Sequence, residues 1–196
     1  AKLPPFPPKP RRRFLLLDDS PPEPEGPHPE EIALAKVEQS IDYSFHDRRL
    51  LRCALTSPGW RNENRMTLDG CWADNKALEW LGDSVLYLEV TEGLVDSGQA
   101  NCTGKSTPSR AKVIANERLA EIGERLELWD ALYLGRGERR NNQGTGRPRY
   151  LACAVEAILG AVWLDVRAQG GQPMAVVRGV VEGWLGTREQ HFQDFR

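Results

Sequence analysis

Between Asn75 and Leu88 the chain reads NKALEWLGDSVLYL, and apolar residues recur there at steps of three and four. That spacing predicts an amphipathic helix with Leu78, Leu81, Val85 and Leu88 as its buried stripe. Two carboxylates are set into the same pattern. Glu79 and Asp83 stand four residues apart, so at about 3.6 residues per turn they stack on one face beside the stripe. Such a pair is poised to share a hard cation like Mg2+, which takes carboxylate oxygens and keeps several waters. A solvated helix face has the same look. Gly82, between them, removes a side chain where another backbone or a substrate could come close, although Gly in a helix interior costs about 1 kcal/mol against Ala.

Charge and length limit what surrounds this helix. The 196 residues suffice for one domain with a sizeable core and something extra. A net charge of -2 is not that of a strong nucleic-acid binder taken whole, because phosphate affinity comes mainly from clustered Lys and Arg. Any RNA contact must be local or depend on a metal or a partner. No apolar run approaches the roughly 18 residues of a membrane span, so no membrane role is expected. The run Phe14 to Leu17 is too short for the core of a signal peptide. Cys53, Cys71, Cys102 and Cys153 have no CxxC spacing and no histidine clustered beside them, so they read as free thiols in a reducing compartment rather than structural zinc ligands. The sequence starts at Ala1 without Met, which fits an organelle import product and fits a trimmed chain equally.

Residues 1–29 hold ten of the fourteen prolines and a basic knot at Arg11, Arg12 and Arg13. Helix and central strand are closed to such a segment, which is expected to be an extended arm, either a plain flexible tail or one that lies along a partner protein or RNA. From Pro29 a helix is predicted to about Ile41, with Ile32, Leu34, Ala35 and Val37 inward. A second should run from about His46 to Leu55 and stop at Ser57-Pro58-Gly59. Residues 60–74 read as a polar, irregular loop. After the Asn75 helix, which should reach about Val95, a loop leads to Pro108 and another long helix bearing Val113, Leu119, Ile122 and Leu126. Residues 135–149, GRGERRNNQGTGRPR, read as a loop. It is either an ordinary surface loop or a phosphate-contacting one, since Arg136, Arg139, Arg140, Arg147 and Arg149 outweigh the single Glu138. Helices over Tyr150 to Asp165 and about Pro173 to Leu185 close the chain, with residues 187–196 as a tail.

The signature stretch resembles that of the ribonuclease III family, whose usual form is N-E-R-L-E-F-L-G-D-S-V-L. Asn75, Leu78, Glu79, Leu81, Gly82, Asp83, Ser84, Val85 and Leu86 match as they stand, while Lys76 replaces a Glu and Trp80 a Phe. The likeness extends further. YSFHDRRLLRCALTSPGW resembles the start of the family's domain, with Ser57 where a His is usual; SRAKVIANERLAEIGERLEL is similar to a later phrase; and YLACAVEAILGAVWLD resembles L-A-D-x-x-E-A-x-x-G-A-x-x-L-D. The resemblance covers about residues 30–186. It implies an all-α ribonuclease III endonuclease-domain fold behind the Pro-rich arm, and no double-stranded-RNA-binding domain is expected after it.

It also implies a metal site. The family's metal-binding carboxylates, carried across position by position, become Glu79, Asp83, Cys153 and Glu156, so three carboxylates remain and a thiol takes the fourth place. A neutral thiol is a poor Mg2+ ligand. Lys76, one turn before Glu79, brings an ammonium where the family keeps a carboxylate, and is expected to pair with Glu79 or Asp83 and partly neutralise the cluster in place of a metal. By the resemblance, Trp80 occupies the position of an aromatic that enters a cavity on a partner subunit, which implies a homodimer or a heterodimer with another ribonuclease III-like domain; a buried core Trp is the other reading. The expected function is therefore an RNA-binding domain with a degenerate metal site, a structural subunit of a ribonucleoprotein such as the mitochondrial ribosome large subunit. The alternative is an active Mg2+-dependent endoribonuclease, Mn2+ also serving, that cleaves double-stranded or structured RNA through Glu79, Asp83 and Glu156. A protein scaffold without RNA contact is a third reading. The resemblance to such ribosomal proteins points to a mitochondrial location, with cytoplasm or nucleus otherwise.

Overall fold

A helix that is apolar around most of its circumference has to be central, because little of it can be left in water. Residues Gly146–Ala168 form that helix. In the computed structural model, which describes residues 29–64, 74–98, 114–141 and 146–185, its Leu151, Ala154, Val155, Ala157, Ile158, Leu159, Ala161 and Val162 are fully buried. Around it, in chain order, stand α1 (Pro29–Ser40), α2 (Arg48–Ala54), α3 (Pro58–Asn64), α4 (Lys76–Asp96), α5 (Asn116–Arg125), α6 (Leu128–Ala131), α7 (Arg136–Arg140), the central α8 itself, and α9 (Pro173–Leu185). Helices α2, α4, α5, α6 and α9 all pack on α8. Among the described residues no strand forms, and a lone parallel bridge joins Thr56 to Tyr133. The all-α expectation holds.

The closest approach is between α4 and α8. Gly82 and Gly160 meet there: a Cβ on Gly82 would fall 1.7 Å from the Glu156 carbonyl oxygen, and one on Gly160 would fall 2.2 Å from that of Leu78. Helix α9 then closes over both, burying Val177, Val180, Val181 and Trp184, and Arg178 bridges to Glu89 at 3.3 Å and Glu92 at 2.7 Å on α4. At the far end of α8 the buried Asp165 carboxylate accepts hydrogen bonds from the Tyr43 hydroxyl (2.7 Å) and from the backbone N–H groups of His46 and Asp47 (both 2.9 Å). That carboxylate fixes the turn between α1 and α2 against the core.

Several expectations need correction. Residues 60–64 are helical, within α3, because Ser57 turns from helix stop to helix start: its Oγ accepts from the Trp60 N–H at 3.1 Å. The described part of the Leu119 helix begins at Asn116, after Ala115 in an extended conformation, so the helix is not continuous through that residue; Pro108 and Val113 lie outside the described residues. The stretch 135–149 is not one loop. It contains α7 and the first turn of α8, with residues 142–145 outside the description. On α4 the buried positions are Leu78, Gly82, Val85, Leu86, Glu89, Val90, Gly93 and Leu94, and Leu88 is 46% exposed. On α1, Ile32 and Ala35 face outward. The arm before Pro29, Cys71, Cys102 and the tail 187–196 also lie outside the described residues.

Candidate active site

The Gly82–Gly160 crossing decides which side chains can meet. Glu79 and Asp83 lie on α4 on either side of Gly82, and Cys153 and Glu156 lie on α8 ahead of Gly160. The four share one electrostatic neighbourhood. Burial pushes the Glu156 carboxyl up to about 7, helped by the negative charges of Asp83 and then Glu79 and partly offset by Lys76. Burial likewise pushes the Cys153 thiol up to about 11, helped by the charges of Glu79 and Glu156 and a hydrogen bond with Glu79, with Lys76 opposing. At neutral pH that thiol is protonated.

Lys76 is the first residue of α4, and its Nζ donates to both carboxylate oxygens of Glu79, at 2.9 Å and 2.7 Å. Burial pulls the ammonium's proton affinity down, but the Glu79 hydrogen bond, the Cys153 thiolate where high pH ionises it, and the Glu79 charge outweigh it, and the net shift is upward. The chain's own cation is therefore engaged with the acid that sequence reasoning put first among the metal ligands. Among the described residues no group of three or more His, Cys, Asp or Glu side chains is arranged to hold a metal ion. The donor chemistry agrees: one carboxylate is occupied on both oxygens and the fourth position is a neutral thiol, a poor partner for a hard cation. The residues present do not fit Mg2+.

The five arginines separate into two kinds. Arg147 chelates Glu124 at 2.6 and 2.7 Å and lies over the Trp129 ring at 4.8 Å, and Arg139 donates to the Leu132 carbonyl at 2.6 Å. Both are holding the fold together. The guanidinium groups of Arg136, Arg140 and Arg149 are exposed and make no hydrogen bond or ion pair with a described residue. Arg149 lies close enough to Lys76 to oppose its charge. Glu138, which in the sequence looks like a lone acid among arginines, ties α7 to α3. Its carboxylate accepts from the Ser57 hydroxyl, the Gly59 N–H (3.3 Å) and the Gly135 N–H (2.8 Å). The spacing of Glu138 three residues beyond Gly135 at a helix start was the available signal.

Trp80 is 83% exposed, which overturns the buried-core reading. It heads an outward face of α4 that also carries Tyr87 (42%), Leu88 (46%) and Val95 (58%).

The fold and site define the class as an all-helical domain in which two long helices cross at a glycine contact and each carries acids beside it. The family model described as Ribonuclease-III-like matches residues 47–175. Ribonuclease 3 of Aliivibrio fischeri is 36% identical over 156 residues, covering 80% of this chain and 62% of that protein. Ribonuclease 3 of Geobacter sulfurreducens is 38% identical over 152 residues, covering 78% and 57%. Among solved structures, the nuclease domain of ribonuclease III from Campylobacter jejuni superposes with a TM-score of 0.61 at 30% identity, covering 77% of this chain and 97% of that one. A second structure of that domain gives 0.60 at 31% identity, covering 76% and 92%. The chain belongs to the ribonuclease III family. It spans about three fifths of the length of the curated relatives it matches.

Proposed function

We propose that this chain is an RNA-binding ribonuclease III domain whose carboxylate centre does not hydrolyse RNA, and that it serves as a structural subunit of a ribonucleoprotein such as the large subunit of the mitochondrial ribosome. The observation that carries the reading is the Lys76 ammonium on both oxygens of Glu79, beside a protonated thiol at Cys153. Of the five arginines between residues 135 and 149, Arg136, Arg140 and Arg149 are open to phosphates, which suits local binding by a chain of net charge -2. The outward face of Trp80, Tyr87, Leu88 and Val95 is the surface for a second copy or another ribonuclease III-like domain; one Campylobacter jejuni structure is itself concerned with a region involved in dimer formation. A mitochondrial location goes with this reading.

The test is cleavage of a duplex RNA in Mg2+ or Mn2+ by the wild type beside Glu156→Gln and Cys153→Asp, with binding followed in the same samples. Bound but uncut RNA is expected from the wild type. Cleavage that disappears in Glu156→Gln would instead establish an active metal-dependent endoribonuclease working with Glu79, Asp83 and Glu156.

A further inference from the structure

We propose that Lys76 is a resident cation that takes the place of a divalent metal at the α4–α8 crossing, so that the centre assembles without metal and is closed to it. This role deepens the non-hydrolytic reading and rests on it. Glu79 and Asp83 lie one turn apart on α4, and their charges reach Glu156 across the Gly82–Gly160 crossing, where a cation relieves the repulsion that otherwise draws a proton to Glu156. The cation is already present. Lys76 Nζ lies 2.9 and 2.7 Å from the two Glu79 oxygens, and the Glu79 side chain is only 18% exposed, so few other approaches to it remain. A metal at the usual 2.0–2.6 Å from either oxygen would stand within about 5 Å of the ammonium, two like charges in a half-buried site. Arg149 adds a further positive charge nearby.

The position of Lys76 is not explained by helix stability. It is the first residue of α4, where the positive end of the helix dipole disfavours a cation. Its pairing with Glu79 at i,i+3 has Lys on the N-terminal side, the less favourable order for a helical ion pair. An ammonium placed against both rules is there for the carboxylate cluster.

The test uses the whole chain without RNA: Mn2+ uptake followed by electron paramagnetic resonance, and thermal unfolding in EDTA and in about 10 mM Mg2+. Wild type is expected to take up no stoichiometric Mn2+ and to unfold at the same temperature in both conditions. Lys76→Glu should unfold lower in EDTA, bind one Mn2+, and recover by about 3 °C or more in Mg2+ through mass action. Lys76→Met, which removes the charge at similar length, should move in the same direction by less. Adding Glu79→Gln to Lys76→Glu should abolish the uptake. Wild type that binds Mn2+ through Glu79, or Lys76 variants that ignore metal altogether, would overturn the proposal. The two readings can fail separately: Mn2+ bound by a wild type that leaves RNA uncut removes the role of Lys76 and keeps the non-hydrolytic domain, whereas a metal-free wild type that neither binds nor cuts RNA keeps the role of Lys76 and removes the RNA-binding function.

Discussion

Gly82→Ala and Gly160→Ala should each unfold this domain at markedly lower denaturant, because both place a Cβ on backbone that cannot step aside. At Gly82 the new atom meets the Glu156 carbonyl oxygen at 1.7 Å and the Gly160 nitrogen at 3.0 Å; at Gly160 it meets the Leu78 carbonyl oxygen at 2.2 Å and the Gly82 nitrogen at 3.1 Å. Relief requires α4 and α8 to part by roughly 1–2 Å, which loosens the packing of the two longest described helices along much of their length. Overpacking of a core costs about 1–3 kcal/mol and occasionally more, and backbone obstacles belong at the upper end. The better helix propensity of Ala returns about 1 kcal/mol. The net loss is then about 2 kcal/mol or more, a fall in Tm of about 4–8 °C for a domain of this size. Gly179→Ala on α9 is the control, since nothing lies within 4 Å of its Cβ position; it should gain about 0.5–1 kcal/mol from propensity alone. Urea unfolding followed by far-ultraviolet circular dichroism measures all three, with unchanged m values as the sign that stability alone has moved. Gly82→Ala or Gly160→Ala rising in stability alongside Gly179→Ala would refute the backbone-contact reasoning.

Glu156 should make stability pH-dependent in the direction opposite to that of a salt-bridged acid. Its carboxyl is raised from the usual 4.5 to about 7, so its favourable contribution is complete below about pH 4.5 and is lost as pH rises through 7; comparison with Glu156→Gln by chemical denaturation at several pH values should show wild type losing about 1–2 kcal/mol relative to the variant, after allowance for solvent screening. Asp165→Ala should cost about 3 kcal/mol or more, because it orphans the Tyr43 hydroxyl and the His46 and Asp47 N–H groups together; thermal melts check it, and a loss below about 1 kcal/mol would mean the turn finds other partners. In RNA-binding titrations across salt concentrations, Arg140→Ala and Arg149→Ala should each lower the slope of log K against log salt by about 0.7–0.9 without changing stability, while Arg147→Ala, which loses Glu124 and Trp129 instead, should lower stability and leave the slope alone.

What could be read from the sequence was what local pattern determines. The helix expected over Tyr150 to Asp165 forms within Gly146–Ala168, and Glu79 and Asp83 share a helix face by spacing alone. Less was legible where the deciding partner is distant. The stripe on α4 was drawn through Leu88, yet the face that meets α8 runs through Gly82, Leu86, Glu89 and Gly93; three- and four-residue steps admit both neighbouring stripes, and only the close approach of Gly160 selects one. Arg147 and Arg149 are two residues apart in a sequence that treats them alike, but Glu124 and Trp129 on other elements capture the first. Glu138 looked like a diluting charge because Ser57, its partner, lies 81 residues away.

The glycine contact and the Lys76 pair act at the same crossing and have different consequences for the chemistry there. Close approach of α4 and α8 is a backbone property. It keeps Glu79 and Asp83 within electrostatic reach of Glu156, and it is needed for the core whether or not a reaction occurs. Carboxylates held together by the scaffold repel one another, and that repulsion adds to burial in the upward shift of Glu156. A fold that keeps the crossing relieves that repulsion with a proton on Glu156 or with a source of positive charge beside it. With an ammonium at position 76 and a neutral thiol at position 153, the source is intramolecular. Retention of Glu79, Asp83 and Glu156 thus does not require retained hydrolysis: the acids can remain because the scaffold holds them close and Lys76 makes their proximity tolerable.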